Sequence, residues 1–113
     1  MGRDTTFEKD VDDAELLFQV LDGLSEEVHG DVIANGFKFK TITVRVRYEH
    51  FDTHTRSKSL LFATNDLDIL KNNAKRLIAP FLRGNKKVRL VGVRVSNLSS
   101  TSRIGSGLNA ESQ

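Results

Sequence analysis

The stretch TITVRVRYEHFDTHTRSKS, residues 41–59, constrains the fold of this chain more than any other. In its first half, threonines and arginines alternate with four apolar residues: Ile42, Val44, Val46 and Tyr48. A period of two puts the apolar side chains on one face of a β-sheet and the polar ones on the other. After a turn at 49–52, the second half, THTRSKS, is almost entirely small, hydroxylated or cationic. We therefore predict a hairpin with one face in a core and the other open to a partner.

Two helices are predicted to cover the apolar face of this hairpin. The first has Asp12 as its N-cap, carries apolar residues at three- and four-residue spacing, and ends at Asn35-Gly36. The second starts with Asn65 as its N-cap and ends near Pro80, which lacks the backbone N–H that a helix interior needs. Both patterns are typical of helices that bury one stripe against a sheet.

Two further strands are predicted, at 3–9 and 86–98. In the last one, KKVRLVGVRVSNL, Val91, Val93 and Val95 share one face, and the opposite face carries Arg94 and Ser96. The two apolar residues before them, Val88 and Leu90, are out of phase with the valines. This mismatch predicts either a bulge near Gly92 or a partly covered second face.

The element order is therefore β-α-β-β-α-β, the split βαβ pattern. We predict an α+β fold, a two-layer sandwich in which a four-stranded antiparallel sheet has two helices on one face. Residues 1–98 form this domain, and residues 99–113, SSTSRIGSGLNAESQ, are expected to be a flexible polar tail because they are small, polar and aperiodic.

Charge is strongly segregated along the 113 residues. Residues 4–35 hold ten acidic side chains and one lysine, a net −9, whereas residues 36–103 hold fifteen basic and four acidic side chains, a net +11. A dipolar domain of this kind presents a basic side suited to a polyanion. There is no cysteine, no apolar run long enough for a membrane span and no signal-peptide pattern, so we expect a cytosolic protein.

No catalytic, metal-binding or cofactor-binding constellation is predicted. The histidines His29, His50 and His54 have no partner at a recurring metal-ligand spacing, and Asp66 and Asp68 suit a helix start better than a metal pair. No nucleophile elbow or phosphate-cradling glycine loop is present.

The exposed sheet face is the better candidate for a function. Alternation predicts that it carries cations and hydroxyls from three strands: Thr43, Arg45, Arg47, His54, Arg56, Lys58, Arg94 and Ser96. Guanidinium and hydroxyl groups are suited to phosphate oxygens. The same residues are also consistent with a solvated outer face that binds nothing and whose charges prevent edge-to-edge aggregation.

The positions of the aromatic residues indicate which kind of nucleic acid the exposed face could bind. A sheet of this topology that binds single-stranded RNA presents aromatic side chains for base stacking. Here Tyr48 and Phe51 are expected on the core side or in the turn, and the exposed positions are arginine, lysine and threonine. Contacts to duplex phosphates are therefore favoured, and an RNA-binding module is a weaker alternative.

Three segments together resemble the little-finger domain of Y-family DNA polymerases, most closely the DNA polymerase IV (DinB-type) branch of archaea and bacteria. They are GRDTTFEKDV, the hairpin ITVRVRYEHFDTHTRSKSL and KKVRLVGVRVSNL, and the similarity extends over residues 2–98.

The resemblance implies a DNA-binding domain attached to a polymerase core that performs translesion synthesis in prokaryotes. By position, Thr55, Arg56, Ser57 and Lys58 match the phosphate-contacting strand of the family, and Arg94 matches its last-strand basic residue. The implied partners are double-stranded primer–template DNA, the polymerase core and, as a further candidate, the sliding clamp; no clamp-binding peptide is recognisable in 99–113. The resemblance implies that the catalytic carboxylates and their magnesium ions belong to the polymerase core, which these residues do not include. It implies no cofactor for this chain.

One alternative from another class stays open at this point. A ferredoxin-like module for a protein or small ligand would use the acidic first helix, with Glu26 and Glu27 on its working surface.

Overall fold

The predicted two-layer α+β fold is confirmed by the computed structural model, which describes residues 1–50, 52–84 and 86–101. Its elements are β1 (Gly2–Val11), α1 (Ala14–Ala34), β2 (Phe37–Tyr48), β3 (Thr53–Thr64), α2 (Leu67–Ile78), a 3-10 helix (Ala79–Leu82), β4 (Val88–Ser96) and β5 (Ser99–Ser100). The sheet is antiparallel in the order β1-β4-β2-β3, so β2 and β4 are central and β3 is an edge strand.

The core lies between the helices and one face of the sheet. Ile42, Val44 and Val46 of β2 are fully buried there, as the alternation predicts, beside Val91 and Val95 of β4. The two helices contribute apolar residues at three- and four-residue spacing: Leu17, Leu21, Leu24, Val28 and Val32 from α1, and Leu70, Ala74, Leu77 and Ile78 from α2. Among the described residues, no helix lies on the opposite face of the sheet, and we name it the open face.

Both helices begin one residue later than predicted. Asp13, not Asp12, is the N-cap of α1, and its carboxylate accepts hydrogen bonds from the backbone N–H groups of Glu15 and Leu16. Asp66, not Asn65, caps α2. The first helix ends as predicted, with Gly36 at a positive φ of 67°.

Both predicted explanations for the out-of-phase residues of β4 apply, because a bulge accounts for Val88 and a partly covered second face accounts for Leu90, but the bulge does not lie at Gly92. Arg47 faces Leu90 and Tyr48 faces Val88, so Arg89 is an extra residue in β4. This bulge returns Val88 to the core side, where it is 1% exposed, and leaves Leu90 buried on the open face. Gly92 itself stays in regular pairing, opposite Arg45 and Asp4.

The edge strand β3 leaves the ladder near its end, which the sequence analysis did not anticipate. Between the pairs Thr41–Ser59 and Phe39–Thr64, one residue of β2 is opposed by four residues of β3. Leu61 and Phe62, within this arch, are 88% and 81% exposed.

The described chain continues past the predicted domain boundary at residue 98. Ser99 and Ser100 form β5, which pairs with Lys38 and Phe37 at the start of β2. The predicted flexible tail from residue 102 onwards lies outside the described residues.

Candidate nucleic-acid interface

The register of the sheet brings the polar residues of the open face into rows. Arg45 of β2 pairs with Thr55 of β3 on one side and with Gly92 of β4 on the other. One step along, Thr43 pairs with Ser57 and with Arg94. Because residues that pair across antiparallel strands share a face, these side chains lie on one surface.

Hydroxyl groups form a line between β2 and β3. The Oγ1 atom of Thr43 lies 2.7 Å from the Oγ atom of Ser57, and that of Thr41 lies 3.2 Å from the Oγ atom of Ser59. Arg47 Nε donates to Thr53 Oγ1 at 3.1 Å. These side chains are exposed or half-buried, and their hydrogen-bond partners lie at the same surface, so they can also donate to an oxygen that approaches the face.

A shallow cleft of about 410 Å³ lies on the open face between β1, β4 and β2. Its lining includes Asp4, Thr43, Arg45, Thr55, Gly92 and Arg94. Gly92 contributes no side chain to this lining.

Two cations on the helix layer have acidic partners, whereas five cations on the sheet have none among the described residues. On the helix layer, Lys71 Nζ lies 2.7 Å from Glu26 Oε2, and Lys75 Nζ lies 3.1 Å from Asp22 Oδ2. The hydrogen bond from Lys71 lowers the pKa of the Glu26 carboxyl and raises that of Lys71. Among the described residues, no carboxylate lies within ion-pair distance, 4.0 Å, of five cations on β2, β3 and β4: Arg45, Arg47, Arg56, Lys58 and Arg94.

Five of the predicted site residues therefore lie together on the open face: Thr43, Arg45, Arg47, Arg94 and Ser96. Thr55 and Ser57, which were assigned from the resemblance alone, lie beside them. The structure does not test which of these residues contact a ligand, so their binding role stays a prediction.

The predicted facing of the other β3 residues is wrong. Arg56 pairs with Val44 and Lys58 pairs with Ile42, which places both on the helix side of the sheet. Alternation fixes which residues of one strand share a face, but the loop length fixes how two strands align, and a strand without apolar residues gives no further signal. Both side chains are nevertheless exposed, because β3 is an edge strand that the helices do not cover at these positions.

His54, also predicted on the open face, lies on the helix side. Its ring is 5.5 Å from that of Tyr48 in an edge-on arrangement and 5.8 Å from that of Phe81. Tyr48 is buried as predicted, and Phe51 lies outside the described residues. His54 is therefore part of an aromatic cluster at the hairpin end of the core.

Sequence reasoning missed several residues of the open face. Thr53 and Ser59 lie on it because the register pairs them with Arg47 and Thr41, and Asn97 donates to Thr41 Oγ1 at 2.6 Å. Asp4 was not singled out for this face, although the alternation of β1 could have placed it there.

The described part of the chain shows neither a metal site nor a membrane-spanning helix. No group of three or more His, Cys, Asp or Glu side chains there is arranged to hold a metal ion. None of its helices is long and apolar enough to cross a membrane.

Comparison with known proteins shows which family this chain belongs to. Residues 1–108 match the family described as the impB/mucB/samB family C-terminal domain. The chain is 44% identical over 98 residues to DNA polymerase IV 2 of Methanosarcina mazei and 42% identical over 98 residues to DNA polymerase IV of Methanoculleus marisnigri. These alignments cover 87% of this chain and 26% and 27% of the relatives, so the chain spans about a quarter of their length.

Solved structures show the same fold. DinB from Sulfolobus solfataricus aligns with a TM-score of 0.72 at 24% identity, over 84% of this chain and 27% of that one. A complex of the beta-clamp processivity factor and the little finger domain of PolIV aligns with a TM-score of 0.69 at 18% identity, over 84% of this chain and 85% of that one.

Proposed function

Since the chain belongs to the impB/mucB/samB C-terminal domain family, the little finger of Y-family DNA polymerases of the DNA polymerase IV type, we propose that it grips duplex primer–template DNA for such a polymerase. It does so through the DNA backbone and without catalysis of its own. The grip would support processivity and lesion bypass by the parent enzyme.

The observation that carries this proposal is the set of cations on the sheet that lack an acidic partner. Arg45, Arg47 and Arg94 on the open face have no carboxylate within ion-pair distance in the described residues, and hydroxyl groups lie beside them. Guanidinium groups bind phosphate oxygens with charged, forked hydrogen bonds, and hydroxyls add neutral donors. Arg56 and Lys58 extend the cationic surface around the free edge of β3.

The remaining functions belong to the parent protein and follow from the family. We propose that the catalytic carboxylates and magnesium ions of a translesion polymerase lie in the part of the protein that this chain does not include. The polymerase core is a proposed partner on the same ground. The sliding clamp is a further proposed partner, which is supported by the clamp complex of a structurally similar little finger.

Replacing the open-face arginines tests the DNA-binding proposal. The double variant Arg45→Gln/Arg94→Gln is expected to bind a fluorescent primer–template at least tenfold more weakly, since a hydrogen bond to a charged group contributes about 1.5–3 kcal/mol. Fluorescence anisotropy at ~0.1 M salt measures the dissociation constants of variant and parent chain.

The double variant Lys71→Gln/Lys75→Gln is the matched control. It removes the same charge from the helix layer, and its affinity is expected to stay within about twofold, because charges farther from the DNA than the Debye length of ~10 Å are screened. Equal losses in both variants, or no loss in the first, would contradict the proposal.

The acidic surface of α1 offers less support for a protein-docking function. Asp22, Glu26 and Asp31 already form ion pairs with Lys75, Lys71 and Arg3 of the same chain. A basic partner would have to compete with these contacts.

A further inference from the structure

The open face carries one acidic residue among the residues that its regular pairing defines. These residues are Gly2, Asp4, Thr6, Thr41, Thr43, Arg45, Arg47, Thr53, Thr55, Ser57, Ser59, Leu90, Gly92, Arg94 and Ser96. Three are arginines and eight carry hydroxyl groups. The arginines of this face attract phosphate, whereas the negative charge of Asp4 repels it. The presence of Asp4 on this face therefore needs an explanation.

The pairing places Asp4 next to Arg94. Asp4 faces Gly92 across the β1–β4 ladder, and Arg94 faces Gly2 one step along, so Asp4 and Arg94 are diagonal neighbours on the same face. Such diagonal pairs lie close enough for long side chains to meet. Gly92 leaves the space between them free, and Asp4, Arg45 and Arg94 all line the same cleft.

The Asp4 side chain lies directly beside the backbone of Gly92. A Cβ atom added to Gly92 would lie 3.0 Å from the Cβ atom of Asp4, a tighter contact than most side chains make. The Asp4 carboxylate is exposed, and the described residues hold no ion-pair or hydrogen-bond partner for it. It is therefore free to interact with a flexible guanidinium nearby.

From this juxtaposition we infer that Asp4 limits the affinity of the open face for DNA by competing with phosphate for Arg94. The inference rests on the proposed function. The carboxylate attracts the Arg94 guanidinium when no DNA is present, so a phosphate that binds Arg94 must displace this interaction. A direct contact with a base is disfavoured, because aspartate is the shortest charged side chain and the arginines beside it extend farther from the sheet. A face that holds DNA weakly suits a domain that must move along the duplex as synthesis proceeds.

The test compares Asp4→Asn with the parent chain in primer–template binding. Asparagine keeps the size of the side chain and removes its charge. We expect about two- to fivefold tighter binding at low salt, the range that one exposed charge pair supplies. The gain should shrink as salt is raised, because screening weakens exposed charge interactions.

Two controls make the test specific. Glu27→Gln removes an exposed acid from α1, on the other layer, and should leave the affinity unchanged. In a background that already carries Arg94→Gln, Asp4→Asn should give no gain, because the competed group is absent. Circular dichroism and thermal melting confirm that each variant is folded.

The outcomes separate this inference from the proposed function. If the parent chain fails to bind primer–template at low salt, the proposed function is wrong. If it binds but Asp4→Asn is unchanged or weaker, or if the gain persists without Arg94, the role of Asp4 is contradicted while the DNA-binding function stands.

Discussion

Tyr48 shows at the scale of a single residue how the hairpin is fixed to the helix layer. Its ring is 7% exposed, and its hydroxyl donates to the backbone carbonyl of Phe81 at 2.8 Å. Lys86 Nζ lies 5.2 Å from the centre of the same ring. Burial raises the pKa of Tyr48 above its ordinary value of 10.0, because the charged phenolate is poorly solvated there.

The raised pKa predicts a loss of stability in alkali. The folded state prefers the neutral phenol, so its contribution is complete below pH about 10 and is lost as the pH rises through the folded-state pKa. Tyr48→Phe should cost ~0.5–1.5 kcal/mol at neutral pH, through the lost hydrogen bond, and should lose less stability between pH 9 and 11. Urea unfolding of both chains over this range measures the difference, and parallel pH profiles would contradict the assignment. Tyr48 is the single tyrosine of the chain, so tyrosinate absorbance reports its ionisation without overlap.

The face of the sheet on which a residue lies was predictable wherever its neighbours in the strand are apolar, because they show which positions point to the core. Arg45 and Arg94 alternate with buried valines, and the sequence places both correctly. Arg56 and Lys58 alternate with hydroxyl residues only, and both were assigned to the wrong face. Asp4 was overlooked because its significance comes from its neighbours on β4, and no pattern within β1 reveals them.

At the scale of elements, the number, type and order of the four main strands and two helices followed from the sequence. The hydrophobic periods of two and 3.6 carry that information directly. Element boundaries were less accurate, because β1 continues through Val11 by means of an irregular register and delays α1 by one residue. The β3 arch and the short strand β5 were not predictable, since both depend on the alignment of backbones, which the hydrophobic period of a single segment does not report.

The start of α1 gives a stability prediction at this scale. Asp13→Ala should lower the free energy of unfolding by ~0.5–2 kcal/mol, because two backbone N–H groups lose their acceptor. Asp12→Ala removes the same charge one residue earlier and should change stability by no more than about 0.5 kcal/mol. Urea unfolding of both variants measures this, and a larger effect for Asp12 would place the cap where the sequence first suggested.

At the scale of the whole molecule, the segregation of charge along the chain becomes a segregation between layers. The acids of α1 neutralise cations of β1 and α2, as the contacts to Arg3, Lys71 and Lys75 show. Among the described residues, no carboxylate lies within ion-pair distance of five other cations on β2, β3 and β4: Arg45, Arg47, Arg56, Lys58 and Arg94. The net charge of +2 therefore understates the field at the sheet, and the basic surface is the one available to a polyanion.

The salt dependence of primer–template binding tests this account most directly. With Arg45, Arg47 and Arg94 each neutralising a phosphate, log K against log salt should have a slope of about −2.7 or steeper. In Arg45→Gln/Arg94→Gln the slope should become shallower by about 1.8. A slope near zero in the parent chain, or the same slope in the double variant, would show that the open face does not bind the DNA backbone.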